Sequence, residues 1–114
     1  MLQRRRHLRY HAKLPCIVEA NGISFHSVVS DLSLGGLRVT LPPLSKAFLT
    51  GPVRAVQIEG LPNLGVKTRW ATQNSVGLEF ASPDRAQRHI GSLIDALDLT
   101  PQGEPDQQVL LRAV

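Results

Sequence analysis

The chain has 114 residues and a mass of 12.5 kDa, the size of one ordinary domain, which argues against a two-domain enzyme with a cleft between its domains. Hydrophobic residues make up 42% and charged residues 19%, a balance typical of a globular domain and not of a disordered chain. The net charge of +4 is uneven, because five basic residues and no acid precede Glu19, while the remainder carries 8 basic and 9 acidic residues. The excess therefore belongs to an N-terminal arm and not to the whole surface.

The cysteine count, the opening residues and the length of the apolar runs predict the compartment and whether the chain spans a membrane. Cys16 is the single cysteine, so no intramolecular disulfide is expected. The opening residues pass directly from Gln3 into arginines, without the apolar stretch of a secretory signal. No apolar run approaches the roughly 18 to 20 residues that a membrane-spanning helix needs. The sequence predicts a cytoplasmic domain without a membrane span.

The first predicted element is a β-hairpin. Two β-type runs, at 14–20 and 23–30, flank the dipeptide Asn21-Gly22. Both residues accept positive φ, which the two central positions of a tight hairpin turn require. The pattern predicts two antiparallel strands joined by a two-residue turn.

Further short strands follow at intervals typical of an all-β barrel or sandwich. Alternation of apolar and polar residues predicts strands at 37–41, 53–59, 66–71 and 76–80. The first of these ends at Pro42-Pro43, because proline cannot donate to a strand ladder. The last two strands are separated by a turn around Asn74-Ser75, so we expect them to pair antiparallel.

The strand at 66–71 contains the one tryptophan of the chain. Strict alternation places Val66, Thr68 and Trp70 on one face and Lys67 and Arg69 on the other. We therefore expect Trp70 to pack in the core or at its rim, with stacking on a nucleotide base as the alternative.

A single helix and a tail complete the chain. Ser82 suits the N-cap and Pro83 the first helical position, and Ile90, Leu93, Ile94 and Leu97 recur at helical spacing. Residues 100–106 are rich in proline and glycine and predict a loop, and the apolar patch 109–111 could contact the barrel or a partner.

Two motifs stand out from this background. The arm contains Arg4, Arg5 and Arg9 in the pattern RRxxxR, and the turn Asp31-Leu32-Ser33-Leu34-Gly35-Gly36 has the pattern DxSxxG. Together they resemble the signature of the PilZ domain family. The likeness extends to Trp70 and to the later strand around Gly77-Leu78-Glu79-Phe80, and it spans residues 3 to the closing helix.

The resemblance implies a fold and a function. The implied fold is all-β, a six- or seven-stranded antiparallel PilZ-type β-barrel with a C-terminal α-helix. We expect a flexible basic arm at 1–13, the barrel with its helix at 14–98 and a C-terminal tail at 99–114. The implied function is that of a non-catalytic receptor for the bacterial second messenger cyclic di-GMP, which signals to a protein effector that controls motility, pili, biofilm or exopolysaccharide. No other cofactor is expected.

The residue types suit such a ligand. Arginine can hold phosphate oxygens or guanine O6 and N7 bidentately while stacking on a ring, and an ionised aspartate can accept two guanine N–H donors. A glycine in the turn allows close backbone approach or positive φ. The candidate ligand-binding residues are Arg4, Arg5, Arg6, Arg9, Asp31, Ser33, Gly35 and Gly36.

Two further expectations come with the candidate site. In the family, arginine immediately before RxxxR goes with an intercalated pair of ligand molecules, so Arg4 favours a pair over a single molecule. Because an ordered arm loses backbone entropy, we also expect ligand binding to act as a disorder-to-order switch.

Other interpretations of the same residues remain open. Asp31 and Ser33 could simply satisfy backbone amides of their own turn. A small basic barrel that binds RNA or single-stranded DNA is an alternative function, although the five scattered aromatic residues are few for a stacking platform. A PilZ-type interaction module without nucleotide binding is another. His7 and His11 lack further ligands for a metal, and Cys16 is expected in the core.

Overall fold

The computed structural model describes residues 8–43 and 51–102. Arg4, Arg5 and Arg6 and the apolar patch 109–111 lie outside these residues. The described elements, in chain order, are β1 (Arg9–Ala20), β2 (Ile23–Leu32), β3 (Gly36–Thr40), β4 (Ala55–Ile58), β5 (Leu64–Ala71), β6 (Ser75–Phe80), α1 (Pro83–Leu97) and β7 (Pro101–Gln102).

Six of the strands close into an antiparallel barrel. Their order around the ring is β1, β2, β3, β6, β5 and β4, and β4 pairs with β1 to complete it. Strand β7 pairs with the other end of β1, and α1 follows β6. The predicted all-β barrel with a C-terminal helix is confirmed.

The hairpin between β1 and β2 has the predicted turn. Asn21 has φ 53° and Gly22 φ 84°, and the residues on either side of them, Ala20 and Ile23, pair with each other. The carboxylate of Glu19 accepts a hydrogen bond from the Gly22 N–H at 2.9 Å. This local prediction succeeded because the turn chemistry lies in two adjacent residues.

The predicted start of the first strand, at residue 14, is wrong. Strand β1 begins at Arg9, and Tyr10 and His11 pair with the far end of β2 across a register shift. Residues 101–102, predicted as loop, form β7 beside Arg9 and Tyr10. Pairing between segments about ninety residues apart leaves no pattern in the local sequence that would predict it. Pro101 made a strand still less expected, because proline occurs in sheets mainly on edge strands such as β7.

The predicted inward face of Trp70 is also wrong. Thr68 pairs with Leu78, but the next described pair is Trp70 with Gly77, so two residues of β5 oppose one of β6. Such a bulge shifts the following side chain to the opposite face of the sheet. Trp70 consequently lies outside the barrel with 44% of its surface exposed.

The barrel interior is apolar. Completely buried side chains come from several strands and from the helix, among them Val18, Val29, Val39, Val56 and Ile90. The predicted apolar face of α1 contributes Ile90, with Leu93 and Ile94 packed against the core, whereas Leu97 is exposed. Within residues 8–43 and 51–102, no helix is long and apolar enough to cross a membrane.

Candidate functional site

The N-terminal end of β1 brings together one residue from each motif. Arg9 and Asp31 are 22 residues apart in sequence, yet Arg9 Nη2 lies 2.7 Å from Asp31 Oδ1 and Arg9 Nε donates to the same oxygen at 3.0 Å. The Asp31 side chain is only 5% exposed, while that of Arg9 is 27% exposed. The carboxylate is thus covered, in part, by the guanidinium that neutralises it.

A third side chain reaches the same carboxylate. Gln102 Nε2 donates a hydrogen bond to Asp31 Oδ2 at 3.2 Å. Gln102 lies opposite Arg9 in the pairing of β7 with β1, and the His11 N–H donates to the Thr100 carbonyl at 2.9 Å nearby. Sequence reasoning missed Gln102, because only the long-range pairing of β7 places it here.

The turn after β2 is stabilised mainly by Ser33. Its backbone N–H donates to the Gly36 carbonyl at 2.9 Å, and its hydroxyl accepts from the backbone N–H groups of Gly35 and Gly36 at 3.2 Å each. The Ser33 side chain is buried. Ser33 therefore satisfies the backbone of its own turn, whereas Asp31 is bound by the side chains of Arg9 and Gln102.

Gly36 is needed for close backbone approach. Its φ is not among the positive values of the described glycines, but a Cβ at this position would overlap the carbonyl oxygen of Leu78 on the neighbouring β6. A glycine at this position could serve positive φ or close backbone approach, and here it allows the close approach of two strands.

The two central residues of the turn connect it to the rest of the molecule. The Gly35 carbonyl accepts from the Phe80 N–H at 3.0 Å. Leu34 packs against the core, and its Cδ2 would lie 3.8 Å from a Cβ built on Gly91 of α1. The backbone of the turn is therefore fixed between β6 and the helix, which holds Asp31 at a defined place on the rim.

The remaining chemically distinctive residues have no described role in this site. His11 is exposed and pairs with Asp31 through the backbone register. Cys16 is buried, as expected from sequence, and burial raises the pKa of its thiol to about 11. In the described part of the chain, no group of histidine, cysteine and acidic residues could hold a metal ion.

The family model of the PilZ domain matches residues 3–96, which contain both motifs. The chain belongs to the PilZ domain family. A search of curated proteins found no match for this PilZ domain.

Solved structures similar to this PilZ domain include two of YcgR from Escherichia coli. The PilZ domain with c-di-GMP of YcgR from Escherichia coli has a TM-score of 0.59 and 18% identity, with 93% of this chain and 98% of that chain covered. The crystal structure of YcgR in complex with c-di-GMP from Escherichia coli has a TM-score of 0.53 and 17% identity, with 99% of this chain and 52% of that chain covered. Our chain spans about half the length of that second protein, and both likenesses concern the fold.

Proposed function

We propose that this PilZ domain is a non-catalytic receptor for cyclic di-GMP. The observation that carries the proposal is the direct contact of Arg9 with Asp31, which joins the two motifs at one end of the barrel. Both YcgR structures similar to the chain are described as containing c-di-GMP. That fold similarity makes the same ligand the first to test here.

The ligand would exchange partners with groups that are already in place. Guanine presents N1–H and N2–H₂ donors, and Asp31 offers them two carboxylate oxygens that Arg9 and Gln102 occupy in this structure. Released from Asp31, the Arg9 guanidinium can bind phosphate oxygens or guanine O6 and N7. Ser33, Gly35 and Gly36 keep the turn in shape during this exchange.

The arginines before Leu8 would complete the site. In this proposal Arg4, Arg5 and Arg6 move onto the barrel and bind the ligand, and an intercalated pair of ligand molecules is the favoured stoichiometry. Fixing each residue costs about 1 to 2 kcal/mol of backbone entropy, which the charged contacts must exceed. The remodelled arm would then be recognised by a cytoplasmic protein effector that controls motility, pili, biofilm or exopolysaccharide.

Titration calorimetry with cyclic di-GMP tests this function. We expect the parent protein to bind, and Asp31→Ala and Arg9→Ala to lose about thirtyfold or more in affinity, because each removes a hydrogen-bonded charged contact. Arg54→Ala is the matched control, because Arg54 is exposed and lies far from the site. Its backbone N–H donates to the carbonyl of Glu19, which is ten residues along β1 from Arg9.

The outcome of this titration is decisive in both directions. No heat from the folded parent at high micromolar ligand would overturn the receptor function. A loss in Arg54→Ala equal to that in Arg9→Ala would assign the effect of the arginine to general charge instead of the site. The measured stoichiometry distinguishes one ligand molecule from a pair.

A further inference from the structure

His11 lies beside Asp31 on the outer surface of the barrel. The two residues are directly opposed in the pairing of β1 with β2, which places their side chains on one face of the sheet with Cβ atoms about 4.5 to 5.5 Å apart. Leu32, the next residue along β2, is buried in the core, so Asp31 and His11 face outward. Along β1, His11 is therefore the next side chain after Arg9 on the face that carries the site.

The backbone at His11 is fixed, while its imidazole is available. The His11 N–H donates to the Thr100 carbonyl at 2.9 Å, and β2 pairs with the opposite edge of β1. The side chain is exposed, and among the contacts of the described residues no hydrogen bond or ion pair involves its ring. His11 thus offers an uncommitted donor next to the Asp31 carboxylate.

The shape of guanine defines what a donor at this place would contact. Its Watson–Crick edge presents the O6 acceptor, the N1–H donor and the N2–H₂ donors side by side. In the proposed function the N1–H and N2–H₂ groups donate to Asp31, so O6 lies immediately beside the carboxylate. A donor about 5 Å from Asp31 on the neighbouring strand is within reach of that oxygen.

We infer that His11 is a further ligand-binding residue, which donates a hydrogen bond to O6 of the guanine that Asp31 binds. The inference rests on the proposed function and adds a residue outside both motifs. Adenine presents an N6–H₂ donor where guanine has O6, so the same contact would favour guanine over adenine. A protonated imidazole has a donor at both nitrogens and makes a stronger, charge-assisted hydrogen bond, so binding should be tighter when His11 is protonated.

This contact makes the affinity for cyclic di-GMP depend on pH. Histidine ordinarily loses its charge between pH 5 and 8, so the affinity should fall as the pH rises through this range. The charged side chains of the described residues around His11 are Arg9 and Lys13 on β1, Asp31 on β2 and, beyond it, Arg38 on β3. Neither residue of β7 is charged. Arginine, lysine and aspartate ordinarily keep their charge from pH 6 to 8, so they supply no such dependence.

Calorimetry at pH 6 and pH 8 tests this role of His11. The affinity of the parent should be about five- to tenfold lower at pH 8 than at pH 6. His11→Ala should bind about tenfold more weakly than the parent at pH 6 and at most about twofold more weakly at pH 8. His11→Gln, whose amide keeps a donor without a change of charge, should retain most of the affinity that the parent has at pH 8 and lose the pH dependence.

His26→Ala is the matched control. His26 is also exposed, but it pairs with Ile17 and lies five residues along β2 from Asp31. This variant should keep both the affinity and the pH dependence of the parent.

Proton NMR supplies a readout on the unmodified protein. The chain has four histidines, and comparison with the spectrum of His11→Gln identifies the imidazole signal of His11. Cyclic di-GMP should shift this signal and move its titration midpoint to higher pH, because the bound ligand favours the protonated ring. The signal of His26 should stay unchanged.

The possible results separate this inference from the function on which it rests. If the parent binds while His11→Ala stays within twofold of it at pH 6, the role of His11 is overturned and the receptor function stands. A His11 signal that does not move in the saturated parent would overturn that role equally, as would a pH dependence that persists in His11→Ala and disappears in His7→Ala. Thermal unfolding verifies that each variant is folded, and if His11→Ala is not, His11→Gln and the NMR titration decide. A folded parent that does not bind cyclic di-GMP would overturn both proposals.

Discussion

At the scale of single residues, the most informative feature is a charge pair in which the carboxylate is nearly buried and the guanidinium is partly exposed. Asp31 is 5% exposed and Arg9 27% exposed, with Gln102 as a further partner of the carboxylate. A carboxylate that is nearly buried needs its partners, because an unpaired buried charge is costly. Arg9 and Gln102 therefore offset the cost of burying the Asp31 carboxylate, and in the proposed function donors of the ligand would replace them.

A double-mutant cycle in the ligand-free protein measures this coupling. Arg9→Ala should destabilise the barrel by about 1 to 3 kcal/mol, since it leaves the Asp31 carboxylate with one described partner. The double variant with Asp31→Ala should lose less than the sum of the single changes, with a coupling of about 1 to 2 kcal/mol. Urea unfolding provides the free energies.

The same chain contains a control for that cycle. Arg69 Nη1 lies 3.1 Å from Glu79 Oε1, but the two side chains are 64% and 49% exposed. Water screens such a pair, so its coupling should be well below 1 kcal/mol. Equal coupling in the two cycles would contradict the special role of the Arg9–Asp31 pair.

At the scale of elements, the turn after β2 depends on how closely β3 approaches β6. Gly36→Ala should reduce the free energy of unfolding by about 1 to 3 kcal/mol, because its Cβ would overlap the Leu78 carbonyl oxygen. Relief of the overlap would require a shift of the β6 backbone. Gly65→Ala is the matched control on β5: its Cβ would lie 3.7 Å from the Ala81 Cβ, an ordinary contact. Similar midpoints of urea unfolding for the two variants would contradict this explanation.

Strand β7 supplies a second prediction at this scale. A guanine that donates to the Asp31 carboxylate must first replace the hydrogen bond from Gln102. Gln102→Ala removes that competing bond, so it should raise the affinity for cyclic di-GMP by about two- to tenfold, which corresponds to the net free energy of one hydrogen bond. Gln57→Ala, an exposed glutamine on β4, is the control. Calorimetry decides, and a weaker affinity in Gln102→Ala would instead make this side chain part of the ligand site.

The elements also show what sequence can and cannot predict. The hairpin turn at Asn21-Gly22 was predictable because its conformation is set by those two residues. The family resemblance implied only that Arg9 and Asp31 belong to one ligand site. Their direct contact was not predicted, because no spacing rule brings together residues 22 apart. Gln102 and the outward face of Trp70 were missed, because the pairing of β7 and the bulge in β5 arise from strand partners distant in sequence.

At the scale of the whole molecule, the charge distribution distinguishes a small dinucleotide from a long nucleic acid. From Glu19 onward the sequence has a net charge of −1, and the basic excess precedes it. Affinity for a polyanion depends steeply on salt in proportion to the number of phosphates contacted. A ligand with two phosphates should be much less sensitive.

We therefore expect the affinity for cyclic di-GMP to fall by less than about tenfold between 50 and 200 mM salt, against the roughly 10³- to 10⁵-fold loss of proteins that contact six to ten phosphates. Calorimetry over this range measures how the affinity for cyclic di-GMP depends on salt.

Filter binding of a labelled single-stranded oligonucleotide, with and without cyclic di-GMP, tests the alternative of a nucleic-acid-binding barrel. Little retention of the oligonucleotide is expected, because the sequence from Glu19 onward has a net charge of −1 and so supplies no excess of positive charge for a phosphate backbone. Tight retention that cyclic di-GMP does not displace, with a steep salt dependence, would favour a nucleic-acid-binding barrel over a receptor for the small ligand.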